Sequence, residues 1–158
     1  MKDIAIKQLE ERGVTIRDIS KIVMEIQKKY QTLSYEECDE AILKVINKRE
    51  VIHTILVGIT LDKLAEERKL DNPLNDIILE DHGLFGIDEI LSLSIINMHG
   101  SIALTNFGYL DKIKLGIIGK LDKVSKEKKE CHTFLDDIIA AIAASAASRL
   151  AHSINDTL

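Results

Sequence analysis

The sequence has one proline, no tryptophan, three phenylalanines and three tyrosines in 158 residues. A β-sandwich needs many turns and favours aromatic and β-branched strands. This composition excludes it and favours helices joined by few, short loops. Cysteine is scarce too: Cys38 and Cys131 lie far apart and neither sits in a C-x-x-C pair. That argues against a zinc site and for reduced thiols in a cytoplasmic protein. No window reaches the ~18 apolar residues of a membrane span. The most apolar stretch, Ile138–Ala147, has ten residues. The first eleven residues are charged throughout, so no secretory signal is read there. Basic charge is in deficit, with 21 Lys and Arg against 26 Asp and Glu, a net of −5. Such a chain has no bulk field to attract nucleic acid, and none is expected as a partner.

Apolar residues make up 46% of the chain, as in an ordinary globular protein. Its length suits one domain, residues 1–158, with a core that needs no disulfide or metal staple. Apolar spacing predicts an all-α, multi-helix bundle of about six to nine helices. Helix 3–12 stops at Gly13, and Thr15 caps a second helix that fades near Tyr30. Ser34-Tyr35-Glu36-Glu37 is a capping box that opens a third, and Asn47 marks a break. A fourth runs from about Glu50 to Leu70 with Gly58 inside it, and Pro73 precedes a short helix. A fifth covers Asp88 to Met98, followed by short helices at 101–108 and 110–122. The charge run 123–130 reads as a solvated loop or helix end. Asp136 opens the last helix, Ala-rich and packed centrally, to about His152.

Two pairs of acids stand in first turns: Asp88-Glu89, after Gly86, and Asp136-Asp137. Acids there satisfy free N–H groups and complement the helix dipole, and this alone can explain either pair. Both pairs together, with Asp81 and Asp111 beside turns, suggest more. Mg²⁺ prefers oxygen ligands and keeps several waters, so one or two carboxylates from each of two helices would suit it. Other phosphoryl-transfer machinery is missing. No G-x-x-x-x-G-K-[ST] loop, no D-x-D and no cysteine with a following phosphatase-type Arg occurs. Glu50-x-x-His53 has the spacing of a di-metal bundle, but a second such pair is absent. His53 is therefore expected to be a partly buried, hydrogen-bonded histidine.

Asp81-His82-Gly83-Leu84-Phe85-Gly86-Ile87-Asp88-Glu89 resembles the D-H-G-x-x-x-x-D-E signature of the phosphatidylglycerophosphatase A family. The segment from Phe107 through Asp111 to Lys114 resembles its F-x-x-x-D-x-x-K element, and Asp136-Asp137-Ile138-Ile139-Ala140-Ala141 its terminal D-D-x-x-A-G/A element. All three occur in order over roughly residues 75–150. The whole chain is most similar to the helical branch of Gram-positive bacteria. The resemblance implies a Mg²⁺-dependent (or Mn²⁺-dependent) phosphatase that converts phosphatidylglycerophosphate to phosphatidylglycerol in phospholipid synthesis. It makes Asp81, Asp88, Glu89, Asp136 and Asp137 the metal ligands. Asp88, Glu89, Asp111 and Asp137 become catalytic, and Lys114 and His82 substrate contacts. The substrate would be a phosphorylated lipid or another phosphate ester. Lacking a span, the chain would work in the cytoplasm and reach lipid by peripheral contact at the inner face of the membrane.

Two other readings come from the residues. Glu36-Glu37-x-x-Glu40 resembles half of the metal motif of all-α nucleotide pyrophosphohydrolases, without its E-x-x-D partner. Alternatively the acids are only caps, and the protein is a helical regulatory protein. Wide apolar faces and the Ala-rich helix suggest a homo-oligomer, most simply a dimer.

Overall fold

A computed structural model describes residues 1–83, 85–127 and 130–153. Leu84 of the D-H-G segment and Lys128 and Lys129 of the charge run lie outside the described residues. Among the described residues there are nine helices and no strand: α1 Lys2–Glu11, α2 Ile16–Gln27, α3 Tyr35–Ile46, α4 Arg49–Glu66, α5 Leu74–Leu79, α6 Ile87–Ile96, α7 Gly100–Ile113, α8 Ile117–Lys126 and α9 Leu135–Ser153.

The first three helices start and stop as their sequences dictate. Thr15 Oγ1 accepts from the Asp18 amide while Asp18 accepts from the Thr15 amide. Ser34 and Glu37 repeat the box at α3. Such caps stabilise a helix by about 1 kcal/mol each. Gly13 leaves α1 at φ 78, a left-handed backbone that glycine adopts without a Cβ penalty.

α9 forms the axis of the molecule. Every residue from Leu135 to Ser148 is buried. It packs against α2, α3, α4, α6, α7 and α8. A helix that is apolar all round must be surrounded. Alanines at 140, 141, 143, 144, 146 and 147 let those neighbours come close. Gly58 of α4 serves the same purpose. A Cβ there would collide with the Ile138 side chain and stand 3.2 Å from Phe134 Cβ. Its place in the helix therefore reflects close α4–α9 packing.

Three boundaries differ from expectation. α4 ends at Glu66 rather than near Leu70, because Arg68 turns left-handed at φ 53 and the Lys69 amide bonds back to Leu64. The expected break near residue 109 is absent. Gly108 is exposed, so α7 absorbs its propensity cost of ~1 kcal/mol and continues to Ile113. The chain turns at Lys114 (φ 50) and Gly116 (φ 60) instead, and α8 then reaches Lys126. His53 is a correction of another kind. It is exposed on the outer side of α4, and Glu50 is exposed beside Arg49, so no di-metal pair forms there. Among the described residues no helix is long and apolar enough to cross a membrane.

Candidate active site

Three helix ends converge at one end of α9. Gly86, left-handed at φ 75, turns the chain into α6, whose first turn carries Asp88 and Glu89. The first turn of α9 carries Asp136 and Asp137. α7 ends there, carrying Asp111 in its last turn and Lys114 just beyond it.

Asp88, Glu89 and Asp137 each offer a carboxylate oxygen, and these lie within 4.8 Å of one another. Asp88 is 7% exposed and Asp137 3%. Exposure decides between cap and site here: acids that merely complement a dipole have no need of burial among other acids. Lys114 satisfies the neighbouring acids. Its Nζ lies 2.8 Å from Asp111 Oδ1, 2.8 Å from Asp136 Oδ2 and 3.8 Å from Asp137 Oδ1. Asp88 Oδ1 and Glu89 Oε2, by contrast, are buried and have no hydrogen-bond partner.

The electrostatics follow from this arrangement. Burial, and next the charge of Asp136, push the Asp137 carboxyl up to about 9 despite the nearby Lys114 ammonium. Burial and then Glu89 push Asp88 up to about 8. Asp136 is raised by burial and relieved by Lys114, which leaves it at about 6. Burial works against the Lys114 charge, but Asp136 and Asp111 outweigh it and hold the lysine protonated.

The chemistry of the donor set fits a divalent cation. Two buried oxygens without a donor beside a third carboxylate hold either protons or a cation, and the two short contacts of Lys114 go to Asp111 and Asp136. An octahedral Mg²⁺ at ~2.0–2.1 Å from its ligands places them ~3–4 Å apart, comparable to the observed spread.

The remaining sequence candidates fall around this centre. Asp81 is half-buried at φ 48, and burial raises its carboxyl. It feels the charges of Lys114, Asp122 and Glu89, so it borders the cluster. His82 is exposed, and its ring pairs with Glu80 (Nε2 to Oε2, 3.0 Å). Glu36, Glu37 and Glu40 are exposed on α3, where Glu37 serves the capping box and Glu40 pairs with Lys44 at 2.7 Å.

Sequence reasoning missed three residues of the first half. Asp62 and Glu66 of α4 accept from the backbone just ahead of the Asp136-Asp137 pair, and Arg12 braces Glu66. A signal was present: Gly58, Asp62 and Glu66 recur every four residues, so two acids share the α4 face that carries the tight-packing glycine.

Solved relatives of the chain share its fold over nearly all of its length. It is 53% identical over 157 residues to the uncharacterized protein YpjQ of Bacillus subtilis, covering 99% of this chain and 87% of the relative. The crystal structure of ypjQ superposes with a TM-score of 0.94 at 52% identity, covering 99% of this chain and 96% of that one. A Bacillus stearothermophilus protein of unknown function gives a TM-score of 0.93 at 54% identity, over 97% of this chain and 94% of the other. The low temperature requirement C protein of Listeria monocytogenes gives 0.94 at 50%, over 98% and 97%. The family model for Phosphatidylglycerophosphatase A matches residues 6–152. All three acidic elements lie within that span, and the chain belongs to the phosphatidylglycerophosphatase A family.

Proposed function

We propose that the protein is a Mg²⁺-dependent phosphatase that hydrolyses the terminal phosphate of phosphatidylglycerophosphate. The carrying observation is the trio of buried Asp88 and Asp137 with half-buried Glu89, in which one buried oxygen of Asp88 and one of Glu89 lack a hydrogen-bond donor, next to a protonated Lys114. Family membership supports the phosphatase class.

Each residue has a role in this reading. Asp88, Glu89 and Asp137 hold the cation, and Asp81 and Asp136 border it. Bound Mg²⁺ would offset phosphate charge and acidify a water molecule. Lys114 contacts a phosphate oxygen as a charged donor. Asp111 and Asp136 keep its ammonium protonated and aimed, at 2.8 Å each. The half-exposed Lys114 and Asp111 form the accessible edge of the site, whereas Asp136 and Asp137 lie deep. A phosphate at the end of a flexible glycerol headgroup can enter from that edge while the acyl chains stay in a membrane surface.

The test is phosphate release from phosphatidylglycerophosphate in mixed micelles, with Mg²⁺ and with chelator. Turnover with Mg²⁺ that chelation abolishes is expected. No turnover with either Mg²⁺ or Mn²⁺ would overturn the assignment. Equal or faster release from a water-soluble glycerophosphate would retain the chemistry but remove the lipid.

A further inference from the structure

The acids of α9 depend on where that helix begins, and its beginning is set from α4. Asp62 is fully buried. Its two oxygens accept from two successive amides, Oδ1 from Phe134 and Oδ2 from Leu135, both at 3.1 Å. Glu66, one turn later on the same face, accepts from the Cys131 amide at 2.6 Å. Arg12 donates to Glu66 and, at 2.6 Å, to the Cys131 carbonyl. Cys131, four residues ahead of Leu135, is thus held through both its N–H and its C=O. Gly58 completes the seat by letting Phe134 and Ile138 approach.

A buried helix start requires acceptors for its free N–H groups. A serine, threonine, aspartate or asparagine of the incoming segment commonly meets that need, as Thr15 and Ser34 do at α2 and α3. Here the acceptor is a carboxylate from a distant helix, buried beside the Cys131 thiol (Sγ to Oδ1, 3.7 Å), which is a costly arrangement. Its geometric consequence is specific. Asp136 and Asp137 follow Leu135 directly, and each residue turns a helix by ~100°. The point at which Leu135 is held therefore sets the direction of both carboxylates. A displacement of ~1 Å in a catalytic constellation can lower a rate ~100-fold.

We propose that Asp62 is a positioning residue of the active site, fixing the first amides of α9 and thereby the aim of Asp136 and Asp137 at the cation and at Lys114. This rests on the reading of that site given above, and it assigns the amino-terminal half of the chain a part in catalysis. Asparagine at this position keeps the shape but offers one acceptor oxygen and sets an NH₂ group against the second amide. Glutamate keeps both oxygens and moves them by one methylene.

The experiment compares wild type, Asp62→Asn, Asp62→Glu and a control in α3. The control is Ile42→Val or Ile42→Ala, whichever matches the fall in Tm. Mg²⁺ binding is measured by calorimetry, and turnover by phosphate release at saturating Mg²⁺. Both Asp62 variants are expected to bind Mg²⁺ at least about tenfold more weakly, the range for residues that orient metal ligands. Their kcat is expected to fall by at least a similar factor while KM for the lipid stays within twofold. The control should match wild type in both. Asp62 variants that behave like the control would overturn the positioning role, as would failure of both to fold, which would assign Asp62 to folding alone. A wild type that neither binds Mg²⁺ nor turns over removes the site reading itself, and the proposal with it.

Discussion

Asp137→Asn is expected to lower phosphate release at least about a hundredfold, the scale of losing one preorganised electrostatic contact, while raising the Tm of the metal-free protein. Opposite signs for activity and stability are the signature of a functional acid held in an unfavourable place. Asp137 is buried, and both burial and neighbouring Asp136 oppose its ionisation. Asparagine has nearly the same shape and never ionises, so it removes the cost of keeping that carboxyl protonated above its ordinary range. Lys114 keeps Asp111 and Asp136 as partners at 2.8 Å, so no ammonium is orphaned. Asp88→Asn should act in the same direction, because burial and Glu89 likewise oppose the ionisation of Asp88. The check is a pair of measurements on the same preparation: phosphate release with Mg²⁺, and thermal unfolding in chelator. If activity and stability fall together, Asp137 is a structural acid.

Raising the pH should destabilise the metal-free protein and strengthen its response to Mg²⁺. Asp136, Asp88 and Asp137 stand at about 6, 8 and 9 in the fold, against an ordinary value of 3.8. Between the ordinary and the raised values the native state keeps protons that the unfolded chain has released. Stability therefore falls as pH rises through this window and levels off once all three are ionised. A cation binds the deprotonated carboxylates, so its stabilisation grows as protons leave. In chelator, Tm is expected to drop by several degrees between pH 6 and pH 9. Saturating Mg²⁺ should recover most of that drop, with a larger increment at pH 9 than at pH 6. A Tm that holds steady or rises over this range in chelator, with equal Mg²⁺ increments at both ends, would show that the acids do not share one site.

The helical architecture could be read from the sequence because its determinants are local. The cap at Thr15 and the box at Ser34 appear as the sequence predicts, and Ile138–Ala147 is central because it has no polar face to expose. Boundaries failed where backbone conformation outweighed composition. Gly108 looked like a break but sits on an open surface, whereas Lys114 takes a left-handed turn that no rule assigns to lysine. At the site, the ordered acidic elements located the acids but not their division of labour. That division depends on which carboxylates Lys114 reaches across from α7 to α9, a tertiary fact. Asp62 escaped for the same reason: a cap supplied from 72 residues away leaves no local pattern at the helix it caps. His53 erred in the other direction, because the E-x-x-H spacing drew attention to a side chain that faces outward.

The central claim is that Asp88, Glu89 and Asp137 hold one divalent cation at the meeting of α6 and α9. Its most direct test is an anomalous difference map from crystals soaked in Mn²⁺. A peak is expected within bonding distance of all three carboxylates, beside Lys114 but not displacing it from Asp111 and Asp136. A Mn²⁺ peak elsewhere, with these three side chains making no contact to it, would rule out a shared cation site at Asp88, Glu89 and Asp137.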